Sequence, residues 1–376
     1  MIRQEEISAI LDAQAEIFRK KENGLTREAL AGVPAVPSFA TIITGIRRCG
    51  KSTLLRQLMS RKYDQALYLN FEDIRLANFD ADDFTRLLRE IERRGIRVLF
   101  FDEIQIIPKW EIFIHQMLNA EYTIFISGSN ASLLSRELGT HLTGRHIPME
   151  LFPFSYSEFL SFRNLPAGED SLSAYLHDGG IPEYVKYHAE IILNTLIDDI
   201  LIRDIAIRNS IKDVFDIKAT STFLDYFSFY QSSYLLEFVP IFNYSLKVQA
   251  RNPKKVYAMD LGLVNEAAAN FSDATGHKLE NLIFLHLRRQ PGSICYYKDK
   301  GECDFIVSEK GKVCRAVQVC HKITELNFTR EYNGLLEAMK ALNLTEGVIV
   351  TTNQADRFEE DGKTIRMIPA SEFLLG

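Results

Sequence analysis

The sequence predicts an α/β protein: a parallel sheet, then a helical middle, then a second and smaller α/β domain. Three observations carry that reading. Short apolar stretches alternate with helical ones from Phe39 to Glu150, a glycine-rich turn joins the first stretch to a helix, and a second strand–helix alternation begins near Gly276. Strands that are apolar throughout belong to a sheet covered on both faces. At 376 residues, with 46% hydrophobic and 25% charged residues, the chain suits two or three domains with a sizeable core.

At the start, Ile7, Ile10, Leu11, Ile17 and Phe18 fall at helical spacing, with Gln14 the one polar residue on the stripe. A loop with Pro34 and Pro37 leads to a strand over Phe39–Thr44. A helix from Lys51 follows, and then a strand over Ala66–Phe71 and a helix near Asp82–Arg93. A strand over Val98–Phe101, a helix from Trp110, a strand over Thr123–Ile126, a helix from Ala131 and a strand over 145–150 complete a first domain of residues 1–165.

Residues 166–270 read as helical, with Gly179-Gly180-Ile-Pro182 as a break and a helix over about 190–211. Helices and a hairpin with limbs Leu235–Val239 and Lys255–Met259 suggest a winged-helix-like arrangement. Residues 271–376 read as helix Leu279–Arg288, strands Ile294–Lys298, Cys303–Ser308 and Val313–Cys320, helix Arg330–Leu342 and strand Gly347–Thr351.

The chemistry concentrates in the first domain. Gly45-Ile46-Arg47-Arg48-Cys49-Gly50-Lys51-Ser52 follows an apolar strand and opens a helix, the context a phosphate-binding loop requires. Glycines let successive N–H groups turn toward phosphate oxygens, Lys51 neutralises them, and the Ser52 hydroxyl ligates Mg²⁺. ATP or GTP is thus expected on residues 45–53, ending at Thr53. The apolar run Val98–Phe101 ends in Asp102-Glu103, which puts one carboxylate near the metal and a second where it can act as general base. Ser127, Ser129 and Asn130 are candidates for orienting water, or simply a helix cap. Arg145 is a candidate finger for the γ-phosphate, in its own or a neighbouring subunit.

Together these residues resemble a widespread family of prokaryotic AAA+-like ATPases. The resemblance extends to Leu142-Thr-Gly-Arg145, Leu151-Phe-Pro-Phe-Ser-Tyr-Ser-Glu-Phe159, Gly179-Gly-Ile-Pro-Glu183, Lys255-Val-Tyr-Ala-Met-Asp-Leu-Gly-Leu263 and the Asp304-Phe segment, so it spans nearly the whole chain. It implies an AAA+/RecA-like P-loop core, a winged-helix-like middle and a C-terminal domain of restriction-endonuclease, PD-(D/E)xK-like ancestry. Cys49 departs mildly from the family pattern, at a position that leaves nucleotide binding intact.

That last domain reads as a degenerate nuclease. A nuclease of the class needs a helix Glu, a strand Asp, and then an acid and a lysine two apart on the next strand. Glu280 and Asp304 are present, but Gln318 and Cys320 stand in the last two positions, with Lys322 an alternative lysine. The spacing of Cys295, Cys303, Cys314 and Cys320 fits no compact zinc pattern.

A basic cluster of Lys247, Arg251, Lys254 and Lys255, flanked by Tyr244 and Tyr257, lies between the hairpin limbs and suits a phosphate backbone as well as an ordinary solvated loop. The net charge of -6 counts against a surface coated by nucleic acid but allows a local groove. The charged N-terminus, the five cysteines and the lack of a long apolar run suggest a cytoplasmic protein with no membrane partner. The expected activity is ATP hydrolysis coupled to DNA or RNA binding or remodelling in a homo-oligomer. The alternatives are an ATP-switched adaptor for a protein partner, or a metal-dependent nuclease.

Overall fold

The computed structural model describes residues 2–129, 144–201, 227–267 and 275–376. The helix expected from Ala131, Asn130, and most of the helix expected beyond Asp199 lie outside these residues. The chain forms two compact units: Met1–Phe152 with Ser232–Tyr234, and Pro153–Gln231 with Leu235–Gly376.

The first unit is a five-stranded parallel sheet. Its strands are β1 (Ala40–Thr44), β2 (Leu67–Asn70), β3 (Val98–Asp102), β4 (Thr123–Ser127) and β5 (His146–Glu150), in the order β2-β3-β4-β1-β5. Helices α1 (Gln4–Lys20), α2 (Lys51–Lys62), α3 (Asp83–Arg94) and α4 (Trp110–Asn119) connect and cover them. Ile42, Leu69, Phe101 and Ile126 from the strands pack with Ile7, Phe84, Leu87 and Phe113 from the helices in one buried cluster. Each such side chain contributes roughly 1.5–3 kcal/mol on burial.

The apolar stripe of α1 is buried at Ile7, Ile10, Leu11 and Phe18, whereas Ile17 is exposed. Gln14 explains itself in the fold. Its amide accepts from the Asn70 backbone N–H at 2.7 Å and donates to the Asn70 carbonyl at 3.0 Å. A side chain thereby completes the backbone pairing of β2, the edge strand, where free backbone groups are otherwise exposed. Glu90 of α3 ties the same layer together, accepting from Ser8, Arg93 and Arg94.

In the second unit, helices α5 (Tyr156–Arg163), α6 (Glu169–Asp178), α7 (Pro182–Tyr187) and α8 (Ile191–Asp199) come first. Ser155 and Glu158 form a reciprocal cap at the start of α5. The expected hairpin is present as β6 (Leu236–Val239) paired antiparallel with β7 (Lys255–Ala258). Between its limbs a short helix, α9 (Leu246–Arg251), replaces the expected loop. After α10 (Leu261–Ala267) and α11 (Thr275–Arg288), a six-stranded mixed sheet contains β8 (Ser293–Lys298), β9 (Glu302–Glu309), β10 (Lys312–Val319), β11 (Glu346–Thr351), β12 (Asp356–Glu360) and β13 (Lys363–Pro369), in the order β12-β13-β11-β10-β9-β8. Helix α12 (Glu325–Ala341) buries Leu335 and Met339 against it, and α13 (Ala370–Phe373) ends the chain. No helix among the described residues is long and apolar enough to cross a membrane.

Candidate functional site

Strand order builds the site in the first unit. Because β4 lies between β1 and β3, its last residue sits between the phosphate loop and the two acids. The register pairs Ser127 with Ile43 on one side and with Asp102 on the other. Gly45 leaves β1 at φ 142°, and a Cβ there would lie 2.1 Å from the Leu151 carbonyl oxygen. Only glycine fits that close approach. Gly50 at φ 102° turns the chain into α2, which begins at Lys51.

The Lys51 ammonium donates to the carbonyls of Gly45 and Ile46, at 2.9 and 3.0 Å, so the loop closes around its own lysine. Cys49 is fully buried. Its carbonyl accepts from Arg27 at 2.7 Å, and the same guanidinium donates to the Phe152 carbonyl at 2.7 Å. Arg27 thus pins the loop. Nothing in its local sequence signals this. Gln57 of α2 holds the segment carrying it, through the carbonyls of Asn23 and Leu25. Ser52 is exposed on the first turn of α2.

Asp102 is 1% exposed, and both of its carboxylate oxygens accept hydroxyl hydrogen bonds. Tyr68 donates to Oδ2 at 2.8 Å, and Ser127 donates to Oδ1. Tyr68 lies on β2 and was not singled out from the sequence. Burial and the Asp102 carboxylate hold its hydroxyl well above the ordinary tyrosine range. Glu103 sits at φ 55°, a left-handed conformation unusual for this residue type and costly enough to suggest a role at the site. Its carboxylate accepts from Gln105 and, at 3.4 Å, from the Ser129 N–H. Burial pushes its pKa above the ordinary value, Lys51 opposes the shift and Asp102 adds to it. The residues that meet here fit a nucleotide triphosphate with a cation: a curled loop, an ammonium, a hydroxyl and two acids.

Arg145 is not a finger for the phosphate loop of its own chain. It precedes β5 at the end of the sheet where Ala40 pairs with His146, whereas the phosphate loop leaves the opposite end of β1. Its guanidinium donates to the carbonyls of Ser38 and Leu118 and to the Asn119 side chain. These bonds fasten the base of the sheet.

Residues 38–160 match a family model described as an AAA domain. The chain is 30% identical over 364 residues to an uncharacterized protein of Methanocaldococcus jannaschii, covering 83% of this chain and 81% of that protein. The chain belongs to that archaeal protein's family. A second uncharacterized protein, from Haemophilus influenzae, is 29% identical over 385 residues, covering 90% and 94% of the two chains. Among solved structures, a Walker-type ATPase of Pyrococcus abyssi matches with a TM-score of 0.38 and 15% identity over 60% of this chain and 90% of that one. The first unit is a P-loop domain of AAA type, built to bind ATP, in an α/β fold with a parallel sheet.

In the second unit Glu280, Asp304 and Gln318 of the expected nuclease-type residues meet, and Cys320 does not join them. Glu280 on α11 and Asp304 on β9 converge on one ammonium, that of Lys255. Gln318 accepts from the Asp304 N–H at 3.2 Å and donates to Glu331 at 2.6 Å. Cys320 instead faces the start of α12, where Asn327 donates to its sulfur at 3.5 Å. Lys322 is exposed. The basic cluster separates: Lys247, Arg251 and Lys254 are exposed, while Lys255 turns inward on β7. Its assignment to an outer phosphate-binding loop is corrected by those carboxylates, which claim its charge.

Proposed function

We propose that this protein hydrolyses ATP at the P-loop of its first unit and uses the nucleotide cycle to act on nucleic acid through its second unit. The observation that carries the hydrolytic part is the register bringing Asp102 beside Ser127 and Ser127 beside the end of β1. Lys51 and the loop N–H groups neutralise the β- and γ-phosphates, which stabilises charge in a dry, preorganised cradle. Ser52 and Asp102 would hold Mg²⁺, which would supply Lewis-acid polarisation of the phosphate oxygens. Glu103, with its raised pKa, accepts the proton of the attacking water and passes it to solvent or phosphate.

Tyr68 and Ser127 fix the Asp102 carboxylate between those roles.

The nucleic-acid reading is supported by Lys247, Arg251 and Lys254, exposed on and beside α9 next to an exposed Tyr244. Cations beside an aromatic face suit a phosphate backbone and a stacked base. A second reading, an ATP-switched adaptor, is favoured by the apolar side chains of the same segment, since Leu246, Val248 and Val256 are exposed too. In either case the second unit binds and does not cut.

The deciding experiment measures ATP turnover alone and with single-stranded, duplex and branched DNA. The set includes Lys51→Ala and Glu103→Gln. Stimulation by DNA that is lost in a Lys247→Ala/Arg251→Ala/Lys254→Ala protein supports the leading reading. Turnover that no DNA alters, or that survives Glu103→Gln, overturns it.

A further inference from the structure

Lys255 is held among three carboxylates. Its Nζ is 2.7 Å from Asp304 Oδ1, 3.0 Å from Glu302 Oε1 and 3.1 Å from Glu280 Oε1. Three carboxylates from two different elements, α11 and β9, thus point at a single cation, as they would at a divalent metal.

The rest of the pocket reinforces the arrangement. Tyr257, two residues along β7 and on the same face, donates to Glu280 Oε1 at 2.6 Å, and the Val319 N–H donates to Asp304 Oδ2 at 2.9 Å. Glu280 Oε1 is therefore shared between Lys255 and Tyr257, and the outer oxygen of Asp304 is committed to the backbone. Cavities of about 720 and 480 Å³ share Glu280, Glu302 and Asp304 as lining, so the cluster is reachable from outside and is nonetheless filled from within. Although burial opposes its charge, the Asp304 and Glu280 carboxylates hold the Lys255 ammonium above its ordinary value.

The charge count agrees. Glu280, Glu302 and Asp304 are three acids, and Lys298 also reaches Glu302, at 3.2 Å. Two ammonium groups thus serve the cluster, close to what one divalent ion provides. A divalent ion entering it would have to expel Lys255 or be repelled by it. The low dielectric of a mostly buried cluster screens that repulsion far less than water would.

We propose that Lys255 is a built-in replacement for a metal ion. The hairpin strand β7 supplies the cation that a nuclease of this general layout would draw from solution, and the acidic cluster is closed to divalent metals for as long as Lys255 is seated. The second unit is therefore metal-independent, and it holds its two cavities open without the hydrolytic centre that a metal would create. This deepens the reading of that unit as a binding module and does not depend on the ATPase assignment, because its readout is ion binding without nucleotide.

Mn²⁺ binding to the full chain, counted by calorimetry and by electron paramagnetic resonance without nucleotide, tests the proposal. Lys255→Met is expected to take up one Mn²⁺ per chain more than the wild type, and to gain thermal stability as Mn²⁺ is added. Lys255→Met/Asp304→Asn should lose that extra ion. If Lys255→Met does not fold without metal but folds with Mn²⁺, the proposal is equally supported. The wild type supplies an arm that needs no damaged protein: it and Asp304→Asn should bind the same number of ions. A wild-type ion that disappears in Asp304→Asn, or a folded Lys255→Met that gains none, overturns the proposal. DNA-stimulated ATP turnover is read separately, so its failure leaves the ion count standing and the converse also holds.

Discussion

Replacing Tyr68 by phenylalanine removes one oxygen and adds nothing, which makes it a clean probe of the acid cluster. The ring can stay where it is, stacked on Phe18 with centroids 3.9 Å apart. What is lost is the 2.8 Å hydrogen bond to Asp102 Oδ2, at a carboxylate that is 1% exposed. Hydrogen bonds to a charged group contribute about 1.5–3 kcal/mol, and because Ser127 still donates to the other oxygen of Asp102 the loss falls near the middle of that range. The nucleotide-free protein should therefore lose about 2 kcal/mol, or roughly 4–8 °C in the melting of its first unit. Urea melts followed by circular dichroism, with and without Mg²⁺ and a non-hydrolysable ATP analogue, measure it. The deficit should shrink with nucleotide, because ligation of the metal gives the freed oxygen a new partner. A Tyr68→Phe protein within about 0.5 kcal/mol of wild type in the absence of nucleotide would show that the bond contributes nothing, and the reasoning would fail. A deficit that nucleotide leaves unchanged would remove Asp102 from the metal.

Lys51→Ala should weaken ATP binding by about 3 kcal/mol, roughly a hundredfold in Kd by titration calorimetry, since it deletes the one ammonium closed inside the loop. Glu103→Gln should bind ATP normally and turn it over about 10²–10⁴ times more slowly in a phosphate-release assay. Arg145→Ala should cost about 1–3 kcal/mol of stability, with turnover per folded molecule unchanged, because its bonds lie at the base of the sheet. Glu90 is held down to about 2, chiefly by Arg93 and further by Arg94 and Ser8. A folded-state value below the ordinary 4.5 gives stability that is present above pH 4.5 and is lost as pH falls toward 2. Its size is at most about 3 kcal/mol, and Glu90→Gln should flatten the acid limb of stability over that window.

Much of the first unit was legible because its signals are local. A strand, a glycine turn and a lysine at a helix start follow one another directly, and the observed strands fall within a residue or two of the expected ones. The order of the strands was not legible, and that order is what sets Ser127 between Asp102 and the loop. Arg145 shows the cost. Near a glycine and a strand it reads as a finger, but register puts it at the wrong end of the sheet. Tyr68 and Arg27 act across 34 and 22 residues, respectively, so neither has a local pattern. The last hairpin, β12 with β13, was missed for another reason. Its edge strand Asp356-Arg-Phe-Glu-Glu360 is nearly all charged, as an exposed edge should be, and the readable clue was Asp361-Gly362 at the turn, both at positive φ.

The most conspicuous motifs of the second unit are not where its chemistry is. Asp260 is buried, and its carboxylate accepts from the N–H groups of Gly180 at 2.7 Å, Gly262 at 2.9 Å and Leu263 at 3.3 Å. Burial pushes its pKa up to about 6 against the pull of those donors. A Cβ on Gly179 would lie 2.4 Å from an oxygen of Asp260, and one on Gly262 would lie 2.4 Å from the Asp178 carbonyl oxygen. Phe154 joins the same knot, its N–H donating to the Gly180 carbonyl at 2.7 Å. Three runs that stand out in the sequence are therefore one joint, and their glycines are dictated by space. The acid cluster shows the reverse pattern. Lys255, Glu280 and Asp304 are scattered over 49 residues and look ordinary one at a time, yet they meet on a single charge. Steric demands write themselves into short contiguous strings, because neighbouring backbone must fit together. A charge cluster is satisfied by side chains arriving from any direction, so only the folded chain reveals which lysine it has taken.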